Sequence, residues 1–508
     1  MEYFMDNRIS LRTIYALVIS YFLLATLSGC SSHNKEKNDS KKHNDIEYFD
    51  ISEATVTNPP AEDSLSLLAQ SFNLADIGYE DAEYFIAGTA TSFTNINELS
   101  VEGKWEAELA EQAPYNTRIV VHRPVDPAEF SGTVMVEWLN VTAGFDAPFS
   151  WSAGHAEMYR SGHIWIGVSA QLVGIEGSDF GLAPLHLKAA SPTRYSELNH
   201  PGDSFSYDIF TQVAGVLRKP QEIDVLAGMS ADYLLALGQS QSANRLTTYI
   251  NSVQPLYNAY DGFIVHSRTM NSSALSQAPQ VEIPTPPASR VRTDSNVPVM
   301  TFQTETDVSF LGYLAARQDD SDNFILWEVA GSGHIDFYMV ASGRIDTVGS
   351  SQSAAIVEVN SVLGGLVSCE RAINAGPVHY VFHSALRAMD VWIRGGERPP
   401  AASRLNLENN AYEFDSSGNV TGGIRTPYVD APSAILLGNG NGNSFFCNLL
   451  GTTALFSADE MASLYINQDG YVSAVTEATQ NAVSAGFILS EDGDAIIDWA
   501  PQQWQAQQ

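Results

Sequence analysis

The chain has 508 residues, 44% hydrophobic and 17% charged, an ordinary globular composition that excludes a disordered scaffold. Its 26 Lys and Arg stand against 59 Asp and Glu, a formal net charge of −33. That balance excludes nucleic acid as a partner and argues against docking of the folded body on anionic lipid, since both need a basic surface.

Arg8 and Arg12 precede an apolar run over residues 13–27. Fifteen residues are too few for a spanning helix, which needs about 20, and fit the apolar region of a signal peptide. The run ends in Leu27-Ser28-Gly29-Cys30, which resembles a bacterial lipobox. The resemblance implies a signal peptide over 1–29, lipidation of Cys30 and anchorage of the chain to the bacterial envelope. Ser31 in place of Asp implies the outer membrane, with the folded domain in the periplasm or at the cell surface. Residues 31–44 are polar throughout, so 30–48 reads as a flexible tether. With Cys30 set aside, Cys369 and Cys447 form an even pair; in an oxidising compartment they are expected to form a disulfide, the alternative being two buried thiols.

From about residue 115 to 400, apolar runs alternate with helical patterns. Strands are predicted over Arg118–His122, Thr133–Trp138, Ile164–Ser169, Tyr233–Leu237, Gly262–His266, Val299–Gln303 and Phe324–Val329. Their near-continuous apolar character is that of strands buried on both faces of a parallel sheet. Helices are predicted over Phe205–Leu217, Ser242–Val253 and Pro377–Arg394. Long Gly-, Pro- and Ser-rich stretches over 171–201 and 268–296 read as lid or binding loops. The whole is an α/β fold with a mostly parallel central sheet, helices on both faces and lid insertions, occupying 49–400. Residues 401–508 read as a C-terminal extension packed on it, with a capping box at Ser457–Glu460.

Within this frame an apolar strand runs into Gly238-Gln239-Ser240-Gln241-Ser242, and a helical pattern follows. Strand, tight turn and helix are the context of a nucleophile elbow. Ser242 stands where a second glycine is usual. The Gln241 N–H, at the helix start, is one expected oxyanion donor. The loop after the strand Thr133–Trp138 is expected to supply the other, from Leu139 to Val141, with Val141 favoured. Asp307 follows a late strand and His334 follows the last, on a small-residue loop. The order Ser240, Asp307, His334 is that of an α/β-hydrolase; Glu305 is the alternative acid. A serine hydroxyl needs a neutral imidazole to take its proton, and the imidazole needs a carboxylate to fix its tautomer.

Four segments together, Gly238–Leu246, Tyr260–Ser267, Gly422–Tyr428 and Phe446–Gly451, resemble the bacterial alpha/beta hydrolase domain proteins over roughly residues 50–500. The resemblance implies the α/β-hydrolase fold and a serine triad, and names no substrate. The expected activity is cleavage of a small carboxylic ester through an acyl-enzyme on Ser240. The alternatives are acyl transfer by the same residues, or a non-catalytic binding lipoprotein of the envelope.

No cofactor and no metal are expected. His379 and His383 lie four apart on a predicted helix but lack the zinc-protease glutamate, and read as a helix face. Glu491–Asp494 lacks calcium-loop spacing and reads as a solvated turn. His266 reads either as a pocket residue or as a core histidine. Trp138, Phe145, Phe149 and Trp151 flank the oxyanion loop and read either as pocket or as core.

Overall fold

Nine strands form one sheet in the order β1-β2-β3-β5-β4-β6-β7-β8-β9. They are β1 Thr55–Thr57, β2 Tyr79–Asn95, β3 Ala107–Pro124, β4 Thr133–Trp138, β5 Ile164–Val168, β6 Tyr233–Gln239, β7 Gly262–His266, β8 Val299–Thr304 and β9 Phe324–Val329. The six strands from β5 to β9 along the sheet are parallel, and β1 to β3 pair antiparallel at one edge. The computed structural model describes residues 48–508 apart from 62–66, 68–70, 180, 182–183, 220 and 443. The expected signal peptide, Cys30 and all but the last residue of the tether lie outside the described residues.

Alternation along each parallel strand divides the core into two layers. Val134, Val136, Leu234 and Ala236 face one layer, with Phe210 and Val213 of a helix over Ser206–Arg218 and Leu246 of one over Gln241–Thr248. Met135, Leu235 and Leu237 face the other, with Trp151 of Phe149–Arg160 and Phe382 and Leu386 of Val378–Ile393. We number these helices in chain order: α1 (Phe149–Arg160), α2 (Ser206–Arg218), α3 (Gln241–Thr248) and α4 (Val378–Ile393). A period of two thus sends successive side chains to opposite helical layers, which is why these strands are mostly apolar on both faces.

Three strands differ from expectation. β3 begins at Ala107, eleven residues before the predicted Arg118, and β1 and β2 were not predicted. β2 and β3 are the longer pair. Together they form a long ribbon, paired from Tyr79 opposite Pro124 to Asn95 opposite Ala107 with one bulge between Thr91 and Phe93. Its far half is exposed over residues 108–112, so apolar periodicity there is weak.

Beyond residue 400 the chain is bonded into the body. The Leu405 N–H donates to Glu328 on β9, Ile424 bridges to Val329, and Gly438 packs against Glu305. A short helix over Phe445–Leu449 follows, then α5 (Ala458–Tyr465), α6 (Gln468–Ser484) and α7 (Ser490–Gln505). Residues 48–508 form one compact unit. Among the described residues no helix is long and apolar enough to cross a membrane. Cys369 and Cys447 are joined in a disulfide, Cα to Cα 5.6 Å.

Candidate active site

Parallel sheets of this kind gather ligands at the carboxyl ends of their strands, near the point where strand order reverses. Here β4 lies between β5 and β6, and four connections meet beyond it: those leaving β4, β6, β8 and β9.

β6 ends at Gln239, and Ser240 turns the chain into α3 with φ 61° and ψ −116°. A non-glycine residue held there costs about 1–3 kcal/mol and persists only where its surroundings enforce it. They do so in two ways. A Cβ on Gly238 would come 2.9 Å from Leu246 and 3.1 Å from the Ser242 backbone, so α3 crosses the strand end too closely for a larger residue. Ser242, the departure from the usual glycine, is fully buried and holds the turn: its hydroxyl donates to the Gln239 carbonyl at 2.8 Å and accepts from the Gln239 N–H at 3.1 Å. The serine therefore replaces a glycine without loosening the packing, because its oxygen satisfies both backbone groups of Gln239.

The strand end of β8 passes into a single helical turn, Glu305–Val308, capped by Thr304. Asp307 stands third in that turn. Its Oδ2 accepts from the Thr304 N–H at 2.7 Å and the Thr304 hydroxyl at 2.8 Å, which leaves Oδ1 to face His334. His334 Nδ1 lies 2.6 Å from that oxygen, and Nε2 lies 2.8 Å from Ser240 Oγ. With the proton of Nδ1 donated to the carboxylate, Nε2 is the acceptor for the serine hydroxyl. The His334 N–H donates to Thr306 Oγ1 at 3.0 Å, which ties the histidine loop to the aspartate turn. Asp307 is fully buried and His334 1% exposed, while Ser240 opens on a cleft. The arrangement can move a proton from the serine oxygen to the imidazole while a buried carboxylate stabilises the resulting cation.

Glu305, the alternative acid, is turned away. Its carboxyl accepts from the Gly331 N–H at 2.6 Å and the Gly438 N–H at 2.8 Å, and burial pushes its pKa up to about 8. It fastens the histidine loop to the C-terminal segment and does not meet His334.

The loop after β4 reaches the elbow. Asn140 Nδ2 donates to the Gln239 carbonyl at 2.8 Å, and the Asn140 N–H is spent on Ala147 and the Leu139 N–H on Val168. Of the three expected donors this leaves Val141; Asn140 and Thr142, on either side of it, line the cleft. Gln241, at the first position of α3, has an N–H that the helix itself does not use.

The aromatic residues around this loop divide. Phe145 and Phe149 line the cleft, whereas Trp138 and Trp151 are fully buried in the two core layers. His266 is a core histidine: it stacks on Phe382 at 4.3 Å, burial lowers its pKa to about 3, and its carbonyl accepts the Ser240 N–H at 2.9 Å. His379 and His383 are buried on α4, His383 paired with Asp492 at 2.8 Å and His379 stacked on Tyr338 at 3.6 Å. Among the described residues no group of three His, Cys, Asp or Glu is placed to hold a metal ion. Glu491–Asp494 is not a solvated turn but the first turn of α7, with Asp492 buried against Arg160 and His383.

Sequence reading missed Gln239, whose side-chain amide lies 3.3 Å from both His334 Nε2 and the His334 carbonyl. It also missed the cleft wall formed by residues 362–367 and 446–450. No local motif marks either. The Thr304-x-x-Asp307 spacing, by contrast, is a capping pattern that could have favoured Asp307 over Glu305.

A family model described as an alpha/beta hydrolase domain matches residues 54–498. Solved structures are similar at low identity. A candidate dienelactone hydrolase from Klebsiella pneumoniae is 13% identical, with 48% of this chain and 85% of that one covered and a TM-score of 0.24. A structure from work on two fungal esterases of Rhizomucor miehei is 10% identical, covering 50% and 78%, TM-score 0.27. A candidate acetyl xylan esterase from Bacteroides fragilis is 8% identical, covering 56% and 71%, TM-score 0.27. No curated protein matches the chain.

Proposed function

The chain belongs to the alpha/beta hydrolase domain family, and from that premise we propose that it is a serine hydrolase cleaving carboxylic esters. One observation carries the reading. A histidine bridges Ser240 at 2.8 Å and a buried Asp307 at 2.6 Å, with the serine on a strained strand-to-helix turn. Ser240 Oγ attacks the ester carbonyl as His334 Nε2 takes its proton, and Asp307 holds the imidazolium. The N–H groups of Gln241 and Val141 receive the oxyanion. The alkoxide leaves with the proton from His334, and water, activated by the same imidazole, releases the acid from Ser240.

The test is hydrolysis of p-nitrophenyl esters and labelling by a fluorophosphonate. Ser240→Ala is expected to abolish the label and lower kcat by about 10⁴ or more. A wild-type chain that neither turns over esters nor takes the label would leave a binding protein as the better reading.

We extend the proposal to location: a lipoprotein anchored to the envelope through Cys30. The Cys369–Cys447 disulfide supports an oxidising compartment. Metabolic labelling with palmitate is expected in cells carrying the wild-type chain and absent in Cys30→Ser.

A further inference from the structure

The cleft over Ser240 is walled almost wholly by carbon. Phe145 and Phe149 line it, and two segments far apart in sequence contribute Val362, Leu363 and Val367, then Phe446, Leu449 and Leu450. Its polar side chains, other than Ser240 and His334, are Asn140, Thr142, Ser152, Gln239 and Arg344. Asn140 and Ser152 are already spent on the Gln239 and Pro148 carbonyls. Leu363 of this lining is 39% exposed, and next to the two segments in sequence Leu366 is 47% exposed and Phe445 54%.

The wall made by these two segments does not stand on the central sheet. Val362 and Val367 pair in a two-residue ribbon, and Phe446 to Leu449 belong to a short helix. The Cys369–Cys447 bridge joins these two pieces, two residues beyond Val367 and one beyond Phe446. The disulfide, 78 residues apart in sequence, is the covalent clasp of the wall.

We propose that the site takes uncharged esters bearing an apolar chain, and that the wall clasped by Cys369–Cys447 selects for that chain. This rests on the hydrolase reading above and narrows it to a substrate class. An acetyl group or a sugar ester leaves the wall unpaired, and a charged chain places its charge against carbon, where its desolvation is uncompensated. Each methylene taken from water contributes about a fourfold gain, so four buried methylenes give a preference on the order of 10².

The experiment uses the full chain and four esters: ethyl acetate, ethyl octanoate, octyl acetate and the monoethyl ester of suberic acid, whose chain ends in a carboxylate. Ethyl octanoate or octyl acetate is expected to exceed ethyl acetate in kcat/KM by about 10², and to exceed the carboxylate ester by at least about tenfold. Leu363→Ser and Phe446→Ser, at exposed and half-buried positions, are expected to lower the ratio of octanoate to acetate three- to tenfold, as is the double change Cys369→Ser with Cys447→Ser. A flat ratio across chain lengths overturns the proposal. So does preference for the carboxylate ester, which would give Arg344 the recognising role. Fluorophosphonates with ethyl and octyl chains separate the two layers of the argument. Labelling of Ser240 without chain preference defeats the substrate class alone, whereas no labelling and no turnover removes the hydrolase reading and this inference with it.

Discussion

Two carboxylates two residues apart have opposite environments. Asp307 is held by Thr304 so that one oxygen faces His334, while Glu305 is spent on the backbone of Gly331 and Gly438. Asp307→Asn is therefore expected to lower kcat by about 10³–10⁴ through the wrong imidazole tautomer. Glu305→Gln is expected to keep kcat within about tenfold while losing about 1–3 kcal/mol of stability, because an amide nitrogen cannot accept from a backbone N–H. Steady-state kinetics beside urea unfolding of both variants checks the pair; equal losses of kcat would contradict the assignment. At this scale the sequence was legible wherever a residue type and a turn coincide. Ser240, Asp307 and His334 each follow an apolar strand, so their meeting could be read from order alone. Choosing Asp307 over Glu305 needed the cap at Thr304, and the part played by Gln239 needed three dimensions.

At the scale of elements, Glu137 joins strand to helix. It is the penultimate residue of β4 and fully buried. Its carboxyl accepts from the N–H of Ser150 at 2.7 Å, of Trp151 at 2.9 Å and of the Trp165 indole at 2.9 Å. The first two are free donors of the first turn of α1, where a carboxylate also meets the positive end of the helix. The loop between β4 and α1 is the one that reaches the elbow, where Asn140 Nδ2 donates to the Gln239 carbonyl. Glu137→Ala is expected to cost about 3 kcal/mol or more by leaving three buried donors unpaired, and to lower kcat beyond what unfolding accounts for. Urea unfolding and single-turnover acylation measure the two separately. Strands β4 to β9 were readable because burial on both faces makes them continuous apolar runs. The far half of β3, Ala107 to Gln112, reads Ala-Glu-Leu-Ala-Glu-Gln, a pattern with helical composition that only its pairing with β2 makes a strand.

Across the whole molecule, burial raises five carboxyls: Asp208 to about 6, Glu137 and Asp336 to about 7, Glu305 to about 8, and Glu328 above its ordinary value. In the unfolded chain such groups titrate near pH 4. Below that both states are protonated and the contribution to stability is whole. As pH rises the unfolded chain releases its protons first, so the folded state binds more, and stability falls until pH passes about 8. Asp492 runs the other way: burial pushes it up, but His383 and Arg160 outweigh that and hold it below the usual range, so its contribution is lost only in acid. Buried histidines, among them His122 and His266, are held below their usual range and act in the opposite sense up to about pH 7, so the melting temperature is expected to fall from pH 7 to pH 9, with the slope reduced in Glu305→Gln; calorimetry across that interval reads both. A rise over the same interval would contradict the account.

The clasp between Cys369 and Cys447 also bears on the order in which the protein comes into being. Ser240, Asp307 and His334 are all translated by residue 334, yet Phe446, Leu449 and Leu450 emerge more than a hundred residues later, and their place on the wall is fixed only once the second cysteine has met the first. On the proposed reading, a nascent chain passes through an interval in which its serine is already written but the wall that selects is not. Selectivity is then a property of the oxidised polypeptide, timed by the segment that carries Cys447 and by the oxidant that closes the bridge.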